Sequence, residues 1–163
     1  MAESKAERVW FRLIRLHTRG LTAIGERLRD IGLSIPQCDV LTTLTESEGI
    51  TQQELAERLY VTKGNISGLI DRLARAKLVE RQPSREDKRS HSIFLTSEGK
   101  RLALLGIQIQ QEFVQHAFGQ ITPETLQAFE ATLIEVRDGI RNAAKPVNAA
   151  AGKAVSQPPQ PKA

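Results

Sequence analysis

The sequence lacks the features of a disulfide-linked, secreted or membrane-spanning protein. Cys38 is its one cysteine, which excludes an intramolecular disulfide and a zinc site built from cysteines. No apolar run approaches the roughly 18–20 residues that a transmembrane helix needs. The first ten residues mix acidic and basic side chains without an apolar segment, so we expect no secretory signal. These absences predict a cytoplasmic protein without a membrane partner.

The sequence motifs of common catalytic and metal sites are missing as well. There is no glycine-rich phosphate loop, no HExxH motif and no serine elbow. His91 and His116 stand without cysteines or carboxylates at the spacing of metal ligands. We therefore expect no enzyme, no bound metal and no other cofactor.

Composition and charge are compatible with one domain that carries a tail. Of the 163 residues, 40% are hydrophobic, which is enough for a core. The net charge of +4 permits a polyanionic partner without requiring one. Residues 144–163 hold four of the seven prolines and no aromatic residue. We expect this tail to be disordered, because its apolar surface is too small to offset the entropy of ordering.

The spacing of apolar residues predicts six helices and one hairpin in the order α-α-α-α-β-β-α-α. The first helix is expected over about residues 5–30. The expected caps of the later helices are Ser34, Thr51, Thr62, Thr96 and Thr122. Two short β-compatible segments, Leu78–Arg81 and Ser92–Thr96, flank a polar loop from Pro83 to Ser90, which predicts a hairpin.

A short capped helix, a tight turn at Tyr60-Val61, a second helix and a basic hairpin form the layout of a winged helix-turn-helix. The predicted fold class is therefore mainly α with a small β-hairpin wing. The helix after Thr62 places its apolar residues on one side, and its other side is small and polar at first and basic further along. Such a face can enter a major groove, and a basic loop beside it can reach the minor groove. The predicted DNA-binding residues are Thr62, Lys63, Gly64, Asn65, Ser67, Gly68, Arg72, Arg75, Arg85, Lys88 and Arg89.

Two features of this helix have alternative interpretations. Gly64 and Gly68 are either sites of close approach to DNA or ordinary packing contacts on a surface helix. Asp71 would be repelled by DNA, so we expect it to pair with Arg75 or with an arginine of the wing. A solvated carboxylate without a partner is the alternative for Asp71.

The sequence resembles the multiple antibiotic resistance regulator (MarR) family over roughly residues 8–143. The resemblance lies in the helix-turn-helix, residues 51–76, followed by Leu78-Val79-Glu80-Arg81, and in the segment 32–41. Residues 87–99 match the wing pattern D-x-R-x-x-x-[LI]-x-L-T-x-x-G of this family. The resemblance implies a homodimer with interlocked terminal helices that binds a pseudo-palindromic operator in double-stranded DNA, usually as a repressor.

The resemblance also implies a division of labour along the chain. Residues 1–34 and 97–143 would be dimerisation helices, and 35–96 would be the winged helix-turn-helix lobe. A small-molecule effector would bind between these parts. Arg89 would support or enter the minor groove, with Asp71 as its partner. Asp71 and Asp87 would both support the wing.

Candidate switch residues lie in the first two helices. His17 is on the apolar stripe of the first helix and, with Arg15 and Arg19, is a candidate for binding an anionic or aromatic effector. A core histidine is the alternative for His17. Cys38 is expected to be a small buried hydrophobe. A redox-sensing regulator that uses Cys38 is the alternative function. It is disfavoured because a reactive thiol needs an accessible position and a basic neighbour, and Cys38 adjoins Asp39 instead.

Three further functional classes compete with sequence-specific regulation. A winged-helix module that binds only proteins is disfavoured by the basic wing loop beside a polar, glycine-bearing helix. A non-specific architectural DNA-binding protein is disfavoured by the modest net charge of +4. An enzyme is disfavoured because the acidic residues fall on predicted solvent-facing helix positions.

Overall fold

The computed structural model describes residues 4–83 and 91–143; the expectations for residues 84–90 and for the tail 144–163 lie outside this range. The predicted order of elements is confirmed. The elements are α1 (Lys5–Asp30), α2 (Ile35–Glu46), α3 (Gln52–Arg58), α4 (Lys63–Arg75), β1 (Val79–Pro83), β2 (His91–Leu95), α5 (Ser97–Phe118) and α6 (Pro123–Ala143). Of the described residues, those up to Gly119 form one compact unit, and those from Gln120 to Ala143 form a second.

The predicted helix caps explain where the helices begin. The hydroxyls of Ser34, Thr51, Thr62 and Thr96 each accept a hydrogen bond from a backbone N–H in the first turn of their helix. At Ser34 and Thr51 a Gln or Glu three residues later also accepts from the backbone N–H of the cap residue. Each cap satisfies N–H groups that have no partner inside the helix, so the helix start is fixed locally.

The hairpin is longer at its tip than the sequence suggested. β1 and β2 are antiparallel, and Pro83 lies opposite His91 as the last pair before the loop. The prediction that the loop begins at Pro83 was therefore wrong, and so was the placement of Thr96 within the second strand. Proline is tolerated in β1 because β1 is an edge strand of a two-stranded sheet.

The core of the first unit lies between α2, α4, the hairpin and the ends of α1 and α5. α2 contributes Cys38, Val40, Leu41 and Leu44, all fully buried. α4 contributes its apolar face, and α1 contributes Leu28 near its end. Leu102, Ala103 and Ile109 of α5 belong to the same cluster. The division into dimerisation helices and a DNA-binding lobe stays a prediction, although parts of α1 and α5 share their core with α2 and α4.

Gly106 allows α2 and α5 to approach closely. A Cβ atom at this position would lie 2.5 Å from Sγ of Cys38, which is closer than two such atoms can come. The Cys38 side chain therefore occupies the space that a side chain at position 106 would need. This contact holds α5 against the centre of the core.

The second unit consists mainly of α6, which begins after Thr122. The Thr122 hydroxyl accepts from the backbone N–H of Thr125 at 3.3 Å, as a cap does. No residue of α6 is buried. Most of its large apolar side chains, including Phe129 and Ile140, are exposed, and Leu126 is half-buried. Within the described residues, no helix is long and apolar enough to cross a membrane.

Candidate nucleic-acid interface

α4 presents the polar face that the sequence predicted on the side opposite the core. Ile66, Leu69, Ile70 and Leu73 are buried. The predicted contact residues Thr62, Lys63, Gly64, Asn65, Arg72 and Arg75 are exposed, and Ser67 and Gly68 are half-buried. Their role in binding DNA stays a prediction, but all eight residues are at least partly accessible on α4 and at its N-cap.

Thr62 has a structural task at the start of this surface. Its hydroxyl oxygen accepts a hydrogen bond from the backbone N–H of Asn65 at 3.3 Å, which caps α4. The other N–H groups of the first helical turn have no partner within the helix and carry partial positive charge, so this end of α4 favours a phosphate group.

The two glycines of α4 have no packing role among the described residues. A Cβ at Gly64 would meet nothing within 4 Å, and one at Gly68 would meet only the guanidinium of Arg72, at 3.7 Å. Neither glycine has a positive φ. A glycine within a helix costs about 0.5–1 kcal/mol relative to alanine. Since packing does not explain these glycines, they favour a surface that needs close approach by a partner.

Asp71 joins α4 to the hairpin. Its Oδ1 lies 2.5 Å from Nη2 of Arg81 in β1, and both side chains are partly exposed. With its amide oxygen turned towards the same guanidinium, Gln52 of α3 accepts hydrogen bonds from Arg81 at 2.8 and 3.1 Å. Ion pairs at this exposure add little stability, up to about 1 kcal/mol. The effect of Arg81 is therefore mainly to orient the hairpin against α3 and α4.

The expected pairing of Asp71 with an arginine of the wing agrees with this contact, because Arg81 lies in β1 of the hairpin. The sequence did not single out Arg81, and it missed Gln52. A signal was available in the strand pattern. Side chains alternate along a strand, so Arg81 lies on the same side as buried Val79 and faces the helices. Arg89, the partner that the resemblance implies, lies outside the described residues, as do Arg85, Asp87 and Lys88. Their roles stay predictions.

The hairpin is also held by the segment before α3. The backbone N–H of Gly49 donates to the carbonyl of Ile93, and the N–H of Ile93 donates to the carbonyl of Ile50, both at 2.9 Å. Thr51 forms a β-bridge with Ser92. The base of the hairpin thus has hydrogen bonds on both edges of β2, which fixes its position relative to α3.

The L-T-x-x-G part of the wing pattern has a structural explanation. Thr96 caps α5, and its hydroxyl donates to the carbonyl of Lys77 at 2.7 Å while its N–H donates to the carbonyl of Leu78 at 3.1 Å. Gly99 completes the cap by donating its N–H to the Thr96 hydroxyl at 3.0 Å. A Cβ at Gly99 would lie 1.9 Å from the Leu78 carbonyl oxygen, so this close contact requires glycine.

The candidate effector residues Arg15, His17 and Arg19 are all exposed on α1. His17 is therefore not a core histidine in the described chain, and its role in binding an effector stays a prediction. No group of three His, Cys, Asp or Glu side chains that could hold a metal ion is found within residues 4–83 and 91–143.

Cys38 is fully buried, and its environment opposes the thiolate. Burial, with the neighbouring Asp39 carboxylate adding to it, raises the pKa of the Cys38 thiol to about 11. A reactive, redox-sensing cysteine needs the opposite, an exposed thiol with a lowered pKa. The structure therefore disfavours the alternative in which Cys38 senses oxidants.

We expect Cys38 in the native protein to be unreactive towards a disulfide reagent at pH 8 and to react fully in denaturant. Because folding raises the pKa of this thiol, its contribution to stability is present below pH 9.0 and is lost as the pH rises towards 11. Urea unfolding at pH 8 and at about pH 10.5 should show this loss in the wild type and a smaller one in Cys38→Ala. Rapid labelling of the native protein at pH 8 would contradict the prediction.

Comparisons with known proteins connect this architecture to one family. The model of the MarR family matches residues 31–90. PrsX of Escherichia coli, an HTH-type transcriptional regulator, is 34% identical over 123 residues, which cover 72% of this chain and 72% of PrsX. The chain belongs to the MarR family.

Two further proteins extend this finding. TtmR of Methylorubrum extorquens, also an HTH-type transcriptional regulator, is 35% identical over 101 residues, or 62% of this chain and 49% of TtmR, so the chain spans about half the length of TtmR. The crystal structure of a mutant MarR from E. coli, complexed with operator DNA, superposes with a TM-score of 0.71 at 25% identity. That match covers 82% of this chain and 99% of the other. These relatives are transcriptional regulators and not enzymes, and this MarR-family chain is a winged-helix transcriptional regulator.

Proposed function

We propose that this MarR-family regulator binds a pseudo-palindromic operator in duplex DNA as a homodimer and represses transcription until an effector releases it. α4 enters the major groove, and the wing reaches the neighbouring minor groove. The observation that carries the proposal is the outer face of α4, where exposed polar and basic side chains surround two glycines that have no packing role. The operator complex of E. coli MarR, which has the same fold, supports the choice of DNA as the partner.

The strand β1 has a defined orientation relative to α4, as a two-groove contact requires. The Arg81–Asp71 ion pair and the Gln52 amide hold β1 against α3 and α4. If α4 lies in the major groove, the hairpin is therefore carried to a fixed position beside it. The cations of its loop, Arg85, Lys88 and Arg89, would then contact the minor groove or its phosphates.

The homodimer is supported by apolar surface that a single chain leaves exposed. On α1, Trp10, Phe11 and Ile14 are each 44–50% exposed. On α6, described by itself, Phe129, Leu133, Val136 and Ile140 are spaced by four, three and four residues and are 39–52% exposed. This spacing suits helix packing, and burial of such faces is the usual driving force for dimers. A dimer would present two α4 helices to two half-sites.

Release by an effector follows from linkage between two binding sites. An effector that prefers a dimer with the wrong distance between its two α4 helices lowers operator affinity, and the operator lowers effector affinity by the same factor. Arg15, His17 and Arg19 are the proposed effector contacts, and cations at these positions suit an anionic ligand. Access to the chromosome requires the cytoplasmic location that the sequence predicts.

Selection of bound duplexes from a random pool tests the proposed function. We expect enrichment of an inverted repeat whose half-site centres are about 10–10.5 base pairs, or a multiple, apart. Recovery of unrelated sequences would favour non-specific binding instead. Recovery of no duplex at low ionic strength, where phosphate contacts are strongest, would favour a protein-binding module.

Gly68→Ala separates the binding role of this glycine from its effect on stability. Alanine favours the helix, so the melting temperature should rise by about 1–4 °C. The added methyl group would stand between α4 and DNA, so operator affinity should fall about tenfold or more. Calorimetry and fluorescence anisotropy measure the two effects. A variant that is more stable and binds equally well would show that Gly68 does not mark a close contact with DNA.

A further inference from the structure

Tyr60 occupies an unfavourable position in the turn between α3 and α4. Its φ of 53° lies in the left-handed region. The turn is closed by two hydrogen bonds: the N–H of Tyr60 donates to the carbonyl of Glu57 at 3.2 Å, and that of Val61 donates to the carbonyl of Ala56 at 3.0 Å. This pattern ends many helices, and glycine is the usual residue at the left-handed position because it has no Cβ to clash.

Packing does not explain why a tyrosine stands where glycine is favoured. The Tyr60 side chain is 97% exposed, the highest exposure among the large apolar and aromatic side chains of the described residues. The ring therefore buries almost no surface in the protein itself. The left-handed backbone is unfavourable for tyrosine, and the ring gains no burial in the protein that would offset this cost. This combination points to a contact of the ring with a partner.

The position of Tyr60, just before α4, indicates what kind of partner it would contact. It precedes by two residues Thr62, which caps α4, and by three residues Lys63, the first residue of that helix. The first turn of α4 is the part of the helix that would approach a DNA strand, because its backbone N–H groups favour phosphate. A phenol can donate a hydrogen bond to a phosphate oxygen, and its ring can pack on a deoxyribose. Stacked bases inside a duplex leave no aromatic surface for the ring.

We infer that Tyr60 binds the sugar–phosphate backbone of the operator, with its hydroxyl donating to a phosphate oxygen beside the N-terminus of α4. This inference rests on the proposed function. The two hydrogen bonds that close the turn fix the backbone of Tyr60, so the contact is formed without ordering a flexible loop. As a neutral donor, Tyr60 contributes affinity that depends neither on base sequence nor on counterion release.

The test compares the wild type with Tyr60→Phe, Tyr60→Gly and Lys63→Ala in anisotropy titrations across a series of salt concentrations. The selected operator and a scrambled duplex serve as ligands. Tyr60→Phe should bind both duplexes about tenfold more weakly without changing the slope of log affinity against log salt. Lys63→Ala should reduce that slope by about 0.9 for each lost phosphate contact. Tyr60→Gly should bind more weakly still, while its melting temperature rises by about 2–4 °C because the backbone strain is relieved.

Three results would overturn the inference while leaving the proposed function intact. One is wild-type affinity in both Tyr60 variants. Another is a loss confined to the operator, which would mean base recognition. The third is a lower melting temperature in Tyr60→Gly, which would mean that the ring stabilises the fold. Failure of the wild type to bind any duplex would overturn the proposed function and this inference with it.

Discussion

Gly99→Ala should strongly destabilise the winged helix-turn-helix. The new Cβ would lie 1.9 Å from the carbonyl oxygen of Leu78, and the neighbouring atom is backbone that cannot rotate away. The start of α5 would have to move from the turn that follows α4. Two hydrogen bonds join these segments, from the Thr96 N–H to the carbonyl of Leu78 and from the Thr96 hydroxyl to the carbonyl of Lys77. Both would be lost or stretched.

The expected loss of stability is large compared with the total. Overpacking typically costs about 1–3 kcal/mol, and loss of a helix cap adds about 0.5–2 kcal/mol. A domain of this size has a free energy of unfolding of about 5–15 kcal/mol. We therefore expect the melting temperature to fall by about 10 °C, or the protein to be recovered unfolded.

Gly139→Ala is the matched control for this substitution. A Cβ at Gly139, within α6, would meet nothing within 4 Å, so the same chemical change should leave stability unchanged or raise it slightly. Thermal unfolding followed by circular dichroism compares the two variants. Equal melting temperatures would show that the contact between Gly99 and Leu78 does not limit the fold.

Reversing two charges on α4 should have the largest effect on DNA binding. Lys63 and Arg72 are exposed on the proposed contact face, and neither belongs to the buried cluster. Lys63→Glu with Arg72→Glu removes two cations from each protomer and adds two repulsive carboxylates. We expect operator affinity to fall by at least about 100-fold at physiological salt, and the salt dependence to become less steep.

The control for charge reversal carries the same change in net charge away from α4. Arg29 near the end of α1 and Arg137 of α6 are exposed and form only surface ion pairs. Arg29→Glu with Arg137→Glu should retain most of the operator affinity, because long-range charge effects are weak beyond a Debye length of about 8 Å. Equal losses in both double variants would mean that net charge, and not the α4 surface, drives binding.

The sequence was informative where local chemistry decides the structure. Ser34, Thr51, Thr62 and Thr96 fix helix starts by contacts with residues only three positions away, so their roles were readable. The inward face of α4 could be predicted for the same reason, because the helical spacing of its four apolar residues is a local pattern in the sequence. Only the strand ends were misplaced, because Pro83 is unfavourable in a central strand and acceptable at an edge.

Contacts between residues that are far apart in the sequence could not be predicted from the sequence. Strand alternation predicts that Arg81 faces the helices, but no spacing rule connects it with Asp71 ten residues earlier or with Gln52 on another helix. The close approach at Gly99 and the fit between Gly106 and Cys38 each join separate elements. The sequence predicted a turn at Tyr60, but its left-handed backbone and its 97% exposure depend on the folded structure.

The mass of the complex with its selected duplex tests the central claim most directly. That claim is that two-fold symmetry places two α4 surfaces on one operator. Native mass spectrometry or analytical ultracentrifugation should find two chains of 18.1 kDa on one duplex, and the same pair of chains without DNA. A single chain bound to the duplex, or a monomer that does not associate at the concentration of the assay, would contradict the account.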